Sequence, residues 1–266
     1  MNNRNNQLHA FHLVDPSPWP ILSGFSALIL TFGFVSYVHG YSRGFFLFSW
    51  GLFMVLAIMF FWWRDVIREG TFEGQHTLKV QKGLKMGMIL FITSEVMFFF
   101  AFFWAFFHSS FNPSIFIGGV WPPVFLTILN PWKIPLLNTI LLLTSGATLT
   151  LSHHSIVWGH KNLAFKSLLL TIFLAIFFTG LQVAEYLSSP FSISSSVYGS
   201  CFFMLTGFHG FHVLIGTLFL VVCLLRLYRN HFTKEHHLGF EAAAWYWHFV
   251  DVVWLFLFIS IYWWGS

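Results

Sequence analysis

One carboxylate, Glu95, lies inside an otherwise apolar stretch that reads FITSEVMFFFAFFWAFFHSS over residues 91–110. The apolar run extends from Met86 to Phe107, so at ~1.5 Å per helical residue Glu95 lies roughly 14 Å from its start, near mid-bilayer. A charge at that depth is costly, and burial favours the protonated acid. Three roles are open for Glu95: a proton relay, a ligand for a coupling ion, or a protonated donor of a structural hydrogen bond.

A relay across the membrane would need a chain of proton carriers along one face. Thr93 and Ser94 are too close to Glu95 to form such a path, and His108 lies at the far end of the same run. Glu185 is another acid inside an apolar stretch, near the outer end of the fifth. The sequence therefore favours a structural or local role for Glu95 over a conduction path.

Two pairs of polar residues have the i, i+3 spacing that places both side chains on one helical face. They are His209 with His212 in GFHGFHV, and His248 with Asp251 in WHFVDVV. Each pair could bind a metal, but neither carries the set of several acidic ligands or the repeated motif of a di-iron site. Hydrogen bonds between the two pairs across helices, worth about 0.6–2 kcal/mol each, are the favoured interpretation.

Further histidines are expected in two loops on one side of the membrane. Adjacent histidines there resemble the boxes of membrane di-iron desaturases, but those enzymes need several boxes with HxxHH or HxxxH spacing. A self-contained histidine-box oxidoreductase is therefore kept as an alternative, as is a secondary transporter that uses Glu95. The loop histidines are His153 and His154 in one loop, and His231, His236 and His237 in the other.

These residues lie in a chain whose composition predicts an all-α polytopic membrane protein. Of its 266 residues, 57% are hydrophobic and 8% are charged, whereas soluble domains carry roughly 25% charged residues. Long continuous apolar runs favour helices over the short alternating strands of a membrane barrel. Seven spans are predicted, at Ile21–Val38, Phe45–Trp63, Gly83–Phe107, Leu136–Ser152, Leu163–Ala184, Tyr198–Leu225 and Ala242–Trp263.

The basic residues predict the orientation of these spans. If the N-terminus is inside, eleven Lys and Arg residues fall in inside segments and only Arg43 and Lys133 fall outside. This asymmetry predicts an inside N-terminus and an outside C-terminus. The inside residues are Arg4, Arg64, Arg68, Lys79, Lys82, Lys85, Lys161, Lys166, Arg226, Arg229 and Lys234.

The inside segment WWRDVIREGTFEGQHTLKVQKG mixes both signs of charge. Arg64 and Arg68 are i, i+4 and share one face if the second helix continues into this segment. Arg68 and His76 could hold the phosphate of a phospholipid headgroup, with Trp63 at the level of the glycerol. Ordinary solvated charge pairing is an equal alternative.

An ordered set of motifs, from about His12 to Ser266, resembles cytochrome c oxidase subunit III of the mitochondrial type. The set includes HLVDPSPWPI, WWRDVIRE, SEVMFFFAFFWAFFHSS, TGFHGFHV and, most specific, EAAAWYWHFVDVVWLFLFISIYWWGS. The resemblance implies seven transmembrane helices in two bundles around a V-shaped lipid cleft. Helices 1–2 would form a bundle within residues 1–78, and helices 3–7 a second bundle within residues 79–266.

The resemblance also implies a core subunit without a redox centre, in a proton-pumping oxidase that reduces oxygen to water with electrons from cytochrome c. The haem a and copper belong to subunits I and II of that family, so this chain is expected to bind no metal or cofactor beyond structural phospholipids. Expected partners are subunits I and II, accessory subunits, membrane lipids and a respiratory supercomplex, but no nucleic acid. The implied location is the mitochondrial inner membrane, with the N-terminus in the matrix and the C-terminus in the intermembrane space.

Site residues follow from the same resemblance. The family's intramembrane carboxylate corresponds to Glu95, beside the cleft and near subunit I, where it would tune proton or oxygen traffic without being catalytic. Two positions depart from the family, since Gln75 stands where a histidine is common and Gly70 where a serine is common. The lipid-contacting positions correspond to Trp63, Arg68, Glu69, Thr71, His76 and Arg226.

Overall fold

The computed structural model describes residues 9–265, and every regular element in that range is helical. Seven helices are long and apolar enough to cross a membrane, which confirms the predicted all-α polytopic class. Arg4, counted among the inside charges, lies outside the described residues. The helices are α1 Trp19–Val38, α2 Gly44–Thr71, α3 Leu78–Phe111, α4 Ile134–Trp158, α5 Lys161–Ser188, α6 Val197–Tyr228 and α7 Leu238–Leu257, which continues as a π-helix over Phe258–Trp264.

The helices run past the ends of the predicted apolar runs, because a helix can continue into polar sequence until a residue breaks it. Helix α4 continues to Trp158, so the prediction that His153 and His154 lie in a loop was wrong. The helix ends where Gly159 adopts a left-handed conformation with φ of 84° and donates its N–H to a carbonyl of the last turn. Glycine accepts this conformation without strain, which makes it a common helix terminator.

One compact unit contains α1 and α2 and ends at Leu84, within the first turns of α3. Glycines allow the backbones of α1 and α2 to touch. A Cβ on Gly33 would lie 2.4 Å from the backbone N of Phe48, and a Cβ on Gly51 would lie 2.5 Å from the backbone N of Leu30. Small residues allow this close packing, which supplies the dispersion energy that holds helices together in lipid. The close contact between α1 and α2 therefore depends on Gly33 and Gly51.

The second compact unit begins at Lys85 and contains the rest of α3 together with α4 to α7. Its core includes two fully buried tryptophans of α7. Trp247 donates its indole N–H to Ser145 Oγ at 2.9 Å, and Trp254 donates to Thr139 Oγ1 at 3.0 Å. Helix α7 is thus fixed against α4 by two indole hydrogen bonds that satisfy the polar edges of otherwise apolar side chains.

Candidate functional site

Glu95 in α3 is paired with His212 in α6, with 2.8 Å between Glu95 Oε2 and His212 Nε2. The other ring nitrogen of His212, Nδ1, lies 2.6 Å from the backbone carbonyl oxygen of Phe208. A carbonyl only accepts, so Nδ1 carries a hydrogen. One proton is therefore shared between His212 Nε2 and Glu95, either as a carboxylic acid beside a neutral imidazole or as a carboxylate beside an imidazolium. Both forms leave the pair without net charge.

Aromatic rings surround the imidazole of His212. The centroid of Phe99 lies 5.0 Å away with its ring at 60°, Tyr246 stacks at 6.2 Å, and Phe249 lies at 6.2 Å. The His212 side chain is only 9% exposed, whereas that of Glu95 is 23% exposed. Exclusion of water strengthens the bond between the two groups. A neighbouring molecule would therefore meet this pair at the carboxyl group of Glu95.

The histidines of α6 do not form a common ligand set. His209 Nε2 lies 3.2 Å from the carbonyl oxygen of Val250 in α7, while His212 turns to Glu95. Both histidines of α6 make interhelical hydrogen bonds, but the prediction that the two pairs bond to each other was wrong, because the partners are Val250 in α7 and Glu95 in α3. His248 Nδ1 lies 3.9 Å from Asp251 Oδ2 within α7 itself.

Glu185, the second acid inside a span, belongs to a buried network. Its Oε1 accepts a hydrogen bond from Tyr262 Oη at 2.7 Å and faces Gln182 Nε2 at 3.3 Å. Gln182 Oε1 in turn accepts from Asn138 Nδ2 at 3.1 Å. The network joins α4, α5 and the π-helix after α7. Glu185 therefore has a structural position, because Tyr262 and Gln182 hold it in a core network that spans three elements.

The two arginines at the polar end of α2 have different surroundings. Arg64 is paired with Asp65 at 2.8 Å, and Asp65 also accepts the indole N–H of Trp19 at 2.7 Å. Arg68 is exposed, and its guanidinium makes no hydrogen bond or ion pair within residues 9–265. Both arginines lie on α2, as the conditional i, i+4 prediction required. Arg68 is therefore the cation of this helix end that is left for an external anion.

The remaining predicted residues of this segment lie around the C-terminus of α2. Trp63 is 59% exposed, and Glu69 Oε2 lies 3.8 Å from His12 Nε2. His76 packs directly over Gly70, where a Cβ would lie 2.5 Å from the imidazole Cε1. The departure to glycine at this position therefore makes room for the present placement of His76. Thr71 is the last residue of α2.

Arg226 lies near the C-terminus of α6 in the second unit. Its guanidinium carbon is 4.5 Å from the centre of the Phe232 ring, and its Nη1 lies against Gly239, where a Cβ would be 2.4 Å away. In the following loop, burial and then repulsion by Arg226 and Arg229 lower the pKa of His231. His231 is thus neutral at pH 7, and the positive charge of this loop is concentrated on the arginines.

Three residues that no motif had connected approach each other at the ends of α4 and α7: His153, His237 and Glu241. The sequence signal was the presence of adjacent histidines at 153–154 and 236–237, both placed on the inside. Only the fold shows that His153 and His237 are the members of the two doublets that face each other, and that Glu241 lies beside them. This group, unlike the histidine-box hypothesis, does not include His236.

The chain matches one protein family over most of its length. A family model described as cytochrome c oxidase subunit III matches residues 9–266. Proteins named cytochrome c oxidase subunit 3 from Prototheca wickerhamii and Arabidopsis thaliana are each 62% identical to the chain, over 97% and 98% of it and 98% of each relative. The protein of that name from Cyprinus carpio is 59% identical over 98% of the chain and 99% of the relative.

Proposed function

The chain belongs to the cytochrome c oxidase subunit III family, and we propose that within this oxidase it is the core subunit that stabilises catalytic subunit I and holds structural phospholipid. The observation that carries this proposal is the family match over residues 9–266. Family membership makes the chain a subunit of the cytochrome c oxidase complex, and together with seven helices able to cross a membrane it supports a place in the inner membrane. The family as a whole has no redox cofactor of its own. We assign haem a and copper to partner subunits I and II.

The test of this assignment is the composition of the complex that a tagged version of the chain brings down. We expect haem a, copper and the other core subunits to co-purify in fixed ratio to the chain, with no haem retained when the chain is separated from them. Stoichiometric iron that remained on the separated chain, and that was lost in His236→Ala or His237→Ala, would instead support the histidine-box oxidoreductase.

We place the chain in the mitochondrial inner membrane, with its N-terminus in the matrix and its C-terminus in the intermembrane space. The excess of Lys and Arg in the segments on one side supports this orientation. A tag added after residue 266 should be digested by protease in mitochondria whose outer membrane has been opened. Protection of that tag until the inner membrane is also permeabilised would reverse the orientation.

The surroundings of Arg68 support the binding of a phospholipid headgroup at the end of α2. Its exposed guanidinium makes no hydrogen bond or ion pair among the described residues, and its attraction to Asp65 acts only through space, since Asp65 hydrogen-bonds to Arg64 and Trp19. Guanidinium groups bind phosphate through paired N–H donors. Trp63 is five residues earlier on the helix and lies ~7.5 Å deeper along its axis. Indole rings favour the membrane interface, so Trp63 would lie at the level of the glycerol. Glu69 and Thr71 would accept and donate hydrogen bonds to the rest of a zwitterionic headgroup, with His76 alongside.

A second lipid contact is supported at Arg226. The guanidinium is held by Phe232 and Gly239, so its orientation costs little further side-chain entropy on binding. Neutral His231 and the nearby Arg229 leave this loop with net positive charge. Such basic positions next to a span attract anionic headgroups.

The lipid proposal is tested by the lipid content of purified oxidase. Arg68→Ala and Arg226→Ala should each reduce the phospholipid retained per haem, as measured by mass spectrometry of extracted lipid, and the double variant should reduce it further. Arg64→Ala is the matched control, because Arg64 is the same residue type one turn away but is already paired with Asp65. Equal lipid content in Arg68→Ala, Arg64→Ala and the unaltered enzyme would remove the α2 site from the proposal.

Glu95 is proposed as a non-catalytic carboxyl group near subunit I that influences proton or oxygen delivery. The support is its shared proton with His212 and the exposure of the carboxyl side of the pair. A group on a neighbouring subunit could exchange a hydrogen bond with this carboxyl without breaking the bond to His212, since a carboxyl has two oxygens. This role predicts that Glu95→Gln changes the durability or proton yield of turnover more than the initial rate of oxygen consumption. An unchanged proton yield and an unchanged lifetime during turnover would refute it.

A further inference from the structure

Three potential metal ligands meet where the end of α4 approaches the start of α7. They are His153 in α4, His237 directly before α7, and Glu241 in the first turn of α7. Their nearest ligand atoms all lie within 4.8 Å of one another, and among residues 9–265 this is the one such group. His237 is buried and the other two are half-buried. Two imidazoles and a carboxylate therefore converge from two helices.

Hydrogen bonding determines which nitrogen of His237 is available. Its Nδ1 lies 3.0 Å from the carbonyl oxygen of Thr233. A carbonyl accepts only, so Nδ1 carries the hydrogen and Nε2 of the neutral ring presents a lone pair. Metal-bound histidines usually donate their second N–H to a carbonyl or carboxylate, which fixes the tautomer and the ring orientation. His237 already has the arrangement of a metal ligand.

The second ring nitrogen of His237 lies close to two further potential ligand atoms. His237 Nε2 lies 3.3 Å from His153 Nε2 and 3.5 Å from Glu241 Oε1. The lone pairs of His237 Nε2 and Glu241 Oε1 repel at this separation unless a cation or a proton lies between them. For ligand bonds of about 2.0–2.2 Å and a tetrahedral angle, two ligands of one zinc ion are ~3.3–3.6 Å apart. The two separations from His237 Nε2 match that geometry, and the third, between His153 and Glu241, is within 4.8 Å.

We propose that His153, His237 and Glu241 bind one zinc ion that links the end of α4 to the start of α7. Two histidines and one glutamate leave the fourth tetrahedral position for water. The mixed nitrogen and oxygen ligands suit zinc and neighbouring transition metals, whereas magnesium and calcium prefer oxygen ligands alone. Because zinc has no redox chemistry, the site adds no electron-transfer centre to the chain.

Lys85 modulates this site from α3. Its ammonium pairs with Glu241 Oε2, the carboxylate oxygen that does not face His237. The Lys85 charge neutralises part of the carboxylate and repels a divalent cation at the adjacent oxygen. Zinc affinity is therefore held below the value that the three ligands alone would give.

The test is the zinc content of the whole purified oxidase at controlled free zinc. Samples are equilibrated at increasing free zinc, desalted, and analysed for zinc relative to haem iron. We expect His237→Gln and Glu241→Gln to lose one equivalent per complex, or to shift its midpoint by roughly 10-fold or more. Excess magnesium should not displace this equivalent. Equal titration curves for the two variants and the unaltered enzyme would overturn the proposal.

His154→Gln is the matched control, because His154 is the next residue on α4, is exposed, and lies outside the ligand group. It should titrate like the unaltered enzyme. A loss of zinc in His154→Gln equal to that in His237→Gln would show adventitious surface binding and refute the site. The haem spectrum and subunit content of each sample establish that the complex is assembled.

Lys85→Gln separates a metal site from a merely structural cluster. Loss of the ammonium should tighten zinc binding, which misfolding cannot imitate. If the cluster is only structural, removing the Lys85–Glu241 pair would leave zinc binding unchanged or weaker. Zinc X-ray absorption on Lys85→Gln should then show two imidazole ligands, and a spectrum with oxygen ligands only would also refute the assignment.

Discussion

Replacement of Glu95 tests how the pair with His212 contributes to the packing of α3 against α6. In Glu95→Gln, the side-chain amide can donate to His212 Nε2 in place of the carboxylic acid, because Nδ1 remains bound to the Phe208 carbonyl. A hydrogen bond that involves a charged group contributes ~1.5–3 kcal/mol, and a neutral one ~0.5–1.5 kcal/mol. The expected loss for Glu95→Gln is therefore about 1 kcal/mol or less, roughly fivefold in an equilibrium constant.

Glu95→Ala removes the partner altogether and leaves His212 Nε2 inside its ring of aromatic side chains. The expected loss is about 2 kcal/mol, which is roughly 30-fold in an equilibrium constant. Combining Glu95→Ala with His212→Phe should recover part of this loss, since an apolar ring then fills the aromatic surroundings and no polar group is left unpaired.

The readout is thiol labelling of Cys223, which is fully buried in α6. Labelling followed by mass spectrometry of the purified oxidase reports how often this helix opens. The labelling rate should rise about 30-fold in Glu95→Ala and at most about fivefold in Glu95→Gln. Ser94→Ala is the control, because among residues 9–265 that hydroxyl bonds to its own helix alone, at the Phe91 carbonyl. If Glu95→Gln labels as fast as Glu95→Ala, the amide does not replace the acid and the shared-proton description of the pair is wrong.

Three further changes follow from individual contacts. Gly33→Leu should separate α1 from α2, because even a Cβ there would lie 2.4 Å from the backbone of α2. The yield of assembled oxidase should therefore fall sharply. Gly24→Leu, which has open space at its Cβ, is the control and should assemble normally. Tyr262→Phe removes the shortest hydrogen bond to Glu185 and should destabilise the oxidase by ~1.5–3 kcal/mol, measured as a lower denaturation midpoint; an unchanged midpoint would contradict the network. Because the pKa of His231 is lowered in the folded protein, the unfolded chain binds protons more readily at this residue. Protonation of His231 therefore costs the folded state nothing above the unfolded pKa near 6.5, and the protein loses stability as the pH falls below that value. His231→Gln should reduce that loss between pH 7 and 5, and identical acid sensitivity of both proteins would show that His231 does not contribute.

Much of the architecture could be predicted from local properties of the chain. A run of about twenty apolar residues must form a helix in lipid, because its backbone groups have no water to bind. For this reason all seven spans were found, with errors confined to their ends. The motif order likewise predicted the family, since it depends on sequence alone. The error at His153 and His154 arose because hydropathy indicates only which residues suit the lipid phase. The helix continues beyond them and ends where Gly159 adopts a left-handed conformation.

Local sequence was thus enough to predict the spans, the family and an isolated acid at residue 95. The partners of the polar groups depend on how the helices pack. Glu95 and His212 are 117 positions apart, and their contact depends on how α3 and α6 are rotated about their axes. The same holds for His153, His237 and Glu241. In a chain whose spans are apolar on nearly every face, periodicity does not indicate which face turns inward, so helix packing alone selects these contacts.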